Sequence, residues 1–343
     1  MIIVMQFGAT QEQIDAVAAV IRKRGFDPLI LPGEDRVAIG IPASLEPDLR
    51  TDFEVVLGAM EGVNKITQTS RPYKLASREF HREDTLVKVN GTVIGGGSFV
   101  VMGGPCSVES IDQFREAAAI VKQSGAQVLR GGAFKPRTSP YSFQGLAIEG
   151  LKIIRQVAEE TGLATITEVM SSDMVSTVAE YVDILQIGAR SMQNFPLLIE
   201  AGRSGKPVFL KRGPSSTVDE FLLAAEYVLS QGNPNVILCE RGIIGFDRGY
   251  TRNTLDLAIV PVLREVTHLP VIVDPSHGTG VARFVHPMAS AAMVAGADGV
   301  MIEMHPNPKE ALSDGSQALT PDQFRWTMDE LRRLAAFTGH SMG

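Results

Sequence analysis

Hydrophobic positions along the chain change their period twice. Residues 2–6 form a short apolar run of strand type, followed by Thr10-Gln-Glu-Gln13, the capping-box pattern that opens a helix. Ile14, Val17, Ala18 and Ile21 then recur at helical spacing, and Gly25 supplies the stop. Residues 29–31 and 37–41 read as two strands around Pro32-Gly33-Glu34-Asp35, a helix covers about 49–60, and 63–67 gives a last strand. This βαββαβ order predicts a small α+β, ferredoxin-like domain over residues 1–70. Residues 71–98 read as a polar, proline-broken linker and then a hairpin, because two short β-type runs flank Asn90-Gly91.

From residue 99 to 343 one unit repeats: short apolar strands alternate with amphipathic helices eight times. The strands fall at 99–103, 127–131, 164–168, 184–187, 207–211, 236–239, 271–274 and 300–303. The helices fall near 111–124, 146–161, 174–181, 195–201, 218–230, 254–266, 285–295 and 322–337. Near-continuous apolar strands imply a parallel sheet buried on both faces. Eight such units predict a closed (β/α)8 TIM barrel rather than an open doubly wound sheet. The turn after the first strand, Gly103-Gly-Pro-Cys-Ser107, also lacks the GxGxxG of many open sheets.

Composition narrows the class. The 343 residues are 44% hydrophobic and 21% charged, with no apolar run long enough to span a bilayer, so a globular protein with a large core is expected. Two cysteines cannot build a disulfide framework, which favours a reducing cytoplasm. The N-terminus reads as a strand, without a basic leader. A formal net charge of −7 and the lack of a basic tail argue against nucleic acid and membrane partners.

In a TIM barrel the C-terminal strand ends carry the chemistry. Seven cations follow them here: Arg130, Lys135, Arg137, Arg190, Lys211, Arg212 and Arg241. Converging on one mouth they would repel each other unless anions sit among them, and they suit phosphate and carboxylate. A second set, Cys106, His277, Glu303 and Asp314, has the donor chemistry of a divalent transition-metal site, although no spacing rule supports it. Without the barrel, Cys106 would default to a small buried residue and His277 to a loop histidine. Cys239 reads as a core residue, and His81, His268, His286 and His340 lack comparable context. His305 could face either side of its strand.

At GPCSVES (104–110), LRGGAFKPRTSPYSFQG (129–145), QIGAR (186–190), LKRG (210–213), CERG (239–242), TRNTLD (251–256), DPSH (274–277) and ALSDGSQAL (311–319) the sequence resembles the 3-deoxy-D-arabino-heptulosonate 7-phosphate (DAHP) synthase family. The resemblance runs from about Arg71 to the C-terminus, and the form it looks like carries an N-terminal ferredoxin-like regulatory domain. It implies a metal-dependent, aldol-type condensation of phosphoenolpyruvate with erythrose 4-phosphate, the first step of the shikimate pathway to the aromatic amino acids. One divalent ion per subunit (Mn, Fe, Co or Zn) would sit on Cys106, His277, Glu303 and Asp314. Arg130, Lys135, Ala189, Arg190, Lys211 and Arg241 match phosphoenolpyruvate-binding positions, and Arg137 and Thr138 those for the aldose phosphate. Lys135 is the expected proton donor, Glu168 the residue that positions water, and His277 a catalytic ligand.

The resemblance also implies a homotetramer with feedback by tyrosine or phenylalanine, the N-terminal domain docking across a barrel mouth. Three rivals remain open. The octulosonate 8-phosphate synthases use arabinose 5-phosphate, but their second-substrate loop reads roughly Lys-Ala-Asn-Arg-Ser, against Lys135-Pro-Arg-Thr-Ser139 here. A Schiff-base aldolase would use Lys211 without metal. A non-catalytic amino-acid sensor would have a degenerate barrel. One departure from the family pattern is Gly278-Thr-Gly280, where Ser-Gly-Gly is expected after the histidine.

Overall fold

A computed structural model describes residues 1–31, 36–68, 71–135 and 141–342, so the expected turn at 32–35 lies outside the described residues. The chain divides into two compact units, Met1–Glu83 and Asp84–Gly343.

In the first unit, β1 (Ile2–Met5), α1 (Gln11–Lys23), β2 (Leu29–Leu31), β3 (Ala38–Gly40), α2 (Pro47–Gly58) and β4 (Val63–Thr67) follow the expected order. The strands form one antiparallel sheet in the order β2-β3-β1-β4, the ferredoxin-like arrangement. The capping box is formed in both directions between Thr10 and Gln13. Ile14, Val17 and Ile21 of α1 and Phe53 and Leu57 of α2 pack on Ile3, Met5 and Ile39 of the sheet. The segment that reads as a polar linker carries buried side chains: Tyr73, Ala76 and Phe80, which fall within the first unit's bounds, are all buried. Phe80 lies over Gly40, where a Cβ would stand 2.5 Å from its ring.

The second unit opens with the hairpin β5 (Val87–Val89) and β6 (Thr92–Ile94). Its turn residues Asn90 and Gly91 take φ of 42° and 82°, the left-handed pair a tight hairpin turn requires. Then follow β7 (Val100–Gly104), α3 (Ile111–Gln123), β8 (Val128–Arg130), α4 (Ala147–Thr161), β9 (Ala164–Glu168), α5 (Val175–Tyr181), β10 (Ile184–Ile187) and α6 (Phe195–Arg203). The remainder is β11 (Val208–Lys211), α7 (Val218–Leu229), β12 (Val236–Glu240), α8 (Ile259–Val266), β13 (Val271–Val273), α9 (Pro275–Thr279), α10 (Ala282–Val294), β14 (Gly299–Glu303) and α11 (Pro321–Thr338).

Strands β7 to β14 pair in parallel in chain order, and β14 returns to β7 to close the barrel. The architecture is therefore the expected (β/α)8 barrel, with a small ferredoxin-like domain earlier in the chain. Inside it, Met102, Val128, Ile166, Ile184, Phe209, Ile237, Cys239, Ile272 and Met301 form one core with Val87, Val89 and Ile94 of the hairpin. Cys239 is thus the core residue its context suggested.

Two elements differ from the sequence expectation. The helix placed at 254–266 starts only at Ile259, because Thr254 bridges Ile243, and Arg252 and Asn253 donate their amides to Thr279 and Gly278. Directly after β13 an unforeseen five-residue helix, α9, is capped by Asp274, whose Oδ1 accepts the His277 amide at 2.9 Å. It turns His277 back toward the barrel mouth.

Candidate active site at the barrel mouth

Cys106 lies just beyond β7, His277 in α9, Glu303 at the end of β14 and Asp314 in the loop after it. Ligand atoms from all four lie within 4.8 Å of one another. Bonds of about 2.0–2.3 Å to one ion keep its donors within roughly 4.6 Å of each other, so the set stands at coordinating separation after small side-chain adjustment. Gly104 makes the close turn possible: its φ is 144°, and a Cβ there would fall 2.0 Å from the Arg130 carbonyl oxygen.

Each donor is oriented by a neighbour. The Cys106 thiol donates to Asp314 Oδ2 at 3.0 Å. His277 Nδ1 donates to Asp274 Oδ2 at 2.7 Å, which leaves Nε2 facing Glu303 Oε1 at 3.2 Å. Glu303 receives Arg130 Nη1 at 2.5 Å on Oε1 and the Gln317 amide on Oε2, while its own amide donates to Ser276 Oγ at 2.9 Å. Asp314 also faces Arg252, 3.6 Å away.

Electrostatics follow from this packing. Burial pushes the Cys106 thiol up to about 11, reinforced by the Glu303 carboxylate and opposed by Lys135 and Arg130. Burial would raise Glu303 too, but His277, Arg130 and Lys135 together bring it down to about 2. Asp274 is fully buried, yet His277 and Lys211 hold it well below the usual carboxylate range. Burial lowers His277, although Asp274 and Glu303 pull the other way. A thiol, a neutral imidazole and two carboxylates are a donor set fit for a divalent transition metal, whose charge would stabilise the thiolate that burial disfavours.

The seven cations separate into groups. Lys135 Nζ touches Cys106 Sγ at 2.8 Å, and Arg130 touches Glu303, so both border the donor cluster. Lys211 joins it through Asp274, donating to Oδ2 at 2.5 Å. Arg212 is buried in an ion-pair network with Glu240 at 3.0 Å and Asp256 at 2.9 Å. Protein carboxylates, not only ligand anions, therefore relieve the repulsion expected among the basic groups. Arg241 is half-buried, Arg190 is exposed and Ala189 begins a 3-10 turn after β10. Glu168 ends β9, accepts from Gln186 Nε2 at 3.2 Å and presses on Gly188 so closely that a Cβ there would clash. Arg137 and Thr138 lie outside the described residues. His305 turns away from the cluster to Glu109, 3.4 Å off.

The residues without an assigned role in the sequence are Asp274, Ser276, Gln317 and Arg252. Asp274-Pro275 carried a signal, an N-cap before a proline at the first helical position. The others lie within the family-like strings DPSH, ALSDGSQAL and TRNTLD, which marked them without giving a role, because only the folded loops bring them to the candidate donors.

Residues 78–336 match the DAHP synthetase I family, and residues 1–70 match the DAHP synthase ferredoxin-like domain.

The chain belongs to the DAHP synthetase I family.

Among curated relatives of this family member is the phospho-2-dehydro-3-deoxyheptonate aldolase of Thermotoga maritima, 45% identical over 339 residues and covering 99% of each chain. A 2-dehydro-3-deoxyphosphooctonate aldolase of Syntrophobacter fumaroxidans is 34% identical over 262 residues, covering 71% of this chain and 90% of its own. The solved Thermotoga maritima DAHP synthase superposes with a TM-score of 0.79 at 44% identity, covering 100% of this chain and 99% of that one. A truncated form of that synthase covers 78% of this chain and 98% of its own, with a TM-score of 0.73 at 45% identity.

Proposed function

We infer that the chain is an enzyme that condenses phosphoenolpyruvate with erythrose 4-phosphate and water, giving DAHP and inorganic phosphate. The observation that carries the reading at the level of chemistry is the four-donor cluster bordered by Lys135 and Arg130. The full-length match to the heptonate relative favours the four-carbon aldose over arabinose 5-phosphate, since the octonate relative leaves more than a quarter of the chain uncovered.

Cys106, His277, Glu303 and Asp314 would hold one divalent ion, with manganese, iron, cobalt and zinc all suited to the set. When bound, such an ion supplies Lewis acidity toward the aldehyde oxygen of the aldose. Arg130, Lys135, Arg190, Lys211 and Arg241, with the backbone at Ala189, hold the carboxylate and phosphate of phosphoenolpyruvate. Arg137 and Thr138 hold the aldose phosphate. The enol carbon of phosphoenolpyruvate bonds to the aldehyde carbon, and the former aldehyde oxygen takes its proton from Lys135 Nζ. Positive charge then grows at the carbon bearing the phosphate ester. Glu168 positions the water that adds there, and phosphate leaves from the tetrahedral carbon.

The same reading extends to regulation and setting. Residues 1–70 take tyrosine or phenylalanine as a feedback effector, the enzyme works as a homotetramer, and its place is the cytoplasm. Among the described residues no helix is long and apolar enough to cross a membrane.

The test is loss of phosphoenolpyruvate with erythrose 4-phosphate against arabinose 5-phosphate, before and after chelation and metal restoration. Turnover with the four-carbon sugar, abolished by chelator and restored by metal, is expected. No loss with either sugar after restoration would overturn the assignment.

A further inference from the structure

Two of the four metal-donor candidates, His277 and Glu303, sit on regular structure and Cys106 lies two residues past β7, whereas Asp314 is further from any element. It occupies the irregular stretch between β14 and α11, at a φ of 50°, a left-handed conformation that a non-glycine residue keeps only when its surroundings impose it. Around it a run of contacts joins two loops. Cys106 meets Asp314 at 3.0 Å; Ser107 Oγ meets Ser313 Oγ at 2.5 Å; Glu109 Oε1 accepts the Leu312 amide at 2.9 Å. The positions ascend on one loop as they descend on the other. The first loop is itself fixed to the barrel, since Val108 donates to the Gly132 carbonyl and Gly132 to the Cys106 carbonyl.

Glu109 reaches further. Its Oε2 lies 3.4 Å from Nε2 of the buried His305. His305 Nδ1 accepts the Asn307 amide at 3.0 Å, so the ring proton belongs on Nε2, toward the carboxylate. Glu109 thus holds the far part of the loop through Leu312 and stands beside its start at His305, whose Nε2 makes no hydrogen bond among the described residues. Ser107 and Ser313 are both buried.

We propose that Ser107, Glu109 and Ser313 form a latch that positions Asp314 for the metal ion and so sets how tightly the ion is held. The proposal rests on the reading of Cys106, His277, Glu303 and Asp314 as the ion's ligands. None of the three latch residues supplies a donor atom to that set; they are positioning residues.

The experiment is titration of the metal-free, full-length protein with cobalt(II) alone, against a competing chelator, following thiolate-to-cobalt absorption. The wild-type chain is expected to bind one ion. Glu109→Ala and Ser313→Ala are each expected to bind it about 10–100-fold more weakly, the usual effect of removing an outer-shell partner. Their metal-free thermal midpoints should stay close to wild type. Glu109→Gln keeps an oxygen for the Leu312 amide and should recover most of the affinity. Alanine variants that fold and bind cobalt as tightly as wild type would overturn the latch alone. If Glu109→Ala does not fold, Ser313→Ala decides. A wild-type chain that binds no cobalt would overturn the metal reading, and the latch with it.

Discussion

Lys135 Nζ donates to both the sulfur and the carbonyl oxygen of Cys106, at 2.8 and 3.1 Å. One ammonium therefore borders the donor cluster and is aimed by a backbone atom at the same time. A group so placed can deliver a proton beside the candidate ion site without coordinating an ion, since an ammonium offers no lone pair.

Replacing Lys135 with Met should lower turnover by about 10²–10⁴-fold, the range for a positioned general acid. Cobalt binding should persist at one ion per chain. Steady-state kinetics and metal titration on the same preparation check this, and near-normal turnover would remove Lys135 as the proton donor.

Lys211 should form no covalent adduct with either substrate. A Schiff-base lysine is activated by an apolar pocket or a neighbouring cation, whereas Lys211 Nζ lies 2.5 Å from the Asp274 carboxylate. Borohydride added during turnover should leave the intact mass unchanged. A reduced adduct mapping to Lys211 would restore the metal-free aldolase.

Ile94 → Ala should cost about 2–5 kcal/mol of unfolding free energy, the usual cost of truncating a buried Ile. Ile94 belongs to the hairpin yet is fully buried in the barrel's interior core. Val93 on the same strand is 38% exposed, and its change to Ala should stay within about 0.5 kcal/mol. Urea denaturation of the metal-free variants separates the two; equal effects would mean that Ile94 does not share the barrel core.

Asp298 should make stability fall as pH rises. Burial keeps its carboxyl above the ordinary 3.8, in spite of the Val271 amide and Arg264. The folded state then holds the proton more tightly than the unfolded one. This contribution is fully present below pH 3.8 and is lost as pH climbs through the folded value, at no more than about 1.4 kcal/mol per pH unit. The stability difference between wild type and Asp298→Asn, measured across that interval, should carry this slope; a flat difference or the opposite sign contradicts it.

A chain beginning at Asp84 should keep condensation activity and lose inhibition by tyrosine or phenylalanine. The cut falls after Glu83, not at residue 70, because the first compact unit runs to Glu83 and Phe80 packs over Gly40 within it. The truncated Thermotoga maritima synthase covers 78% of this chain, so a shortened relative has a solved structure. Inhibition by all three aromatic amino acids unchanged from the full chain would end the regulatory reading.

The barrel was legible because its strands are short apolar runs and its helices carry an amphipathic period. Asn90-Gly91 marked the hairpin for the same local reason. Local pattern fails where structure depends on long-range contact. At five residues, α9 is too short to show a period, and the start of α8 is displaced because Thr254 finds Ile243 instead of a helical partner. The four candidate donor residues were visible as types near strand ends, but their hydrogen-bond partners were not. Nothing local says that Arg212 belongs to Glu240 and Asp256, or that Asp314 holds a positive φ. The packed Tyr73 and Phe80 were hidden by the polar residues and proline around them.

The barrel closes where β14 pairs with β7, the last strand against the first. Cys106 leaves the ribosome some 170 residues before His277, and nearly 200 before Glu303. A nascent chain therefore carries one of the four proposed donors through most of its synthesis and gains the other three almost together. Until that seam shuts, the Cys106 thiol is apart from the three side chains proposed to share an ion with it. On the proposed ligand set, cobalt-thiolate absorption would thus report completion of the barrel, and a chain stalled before its last two strands would lack that four-donor site.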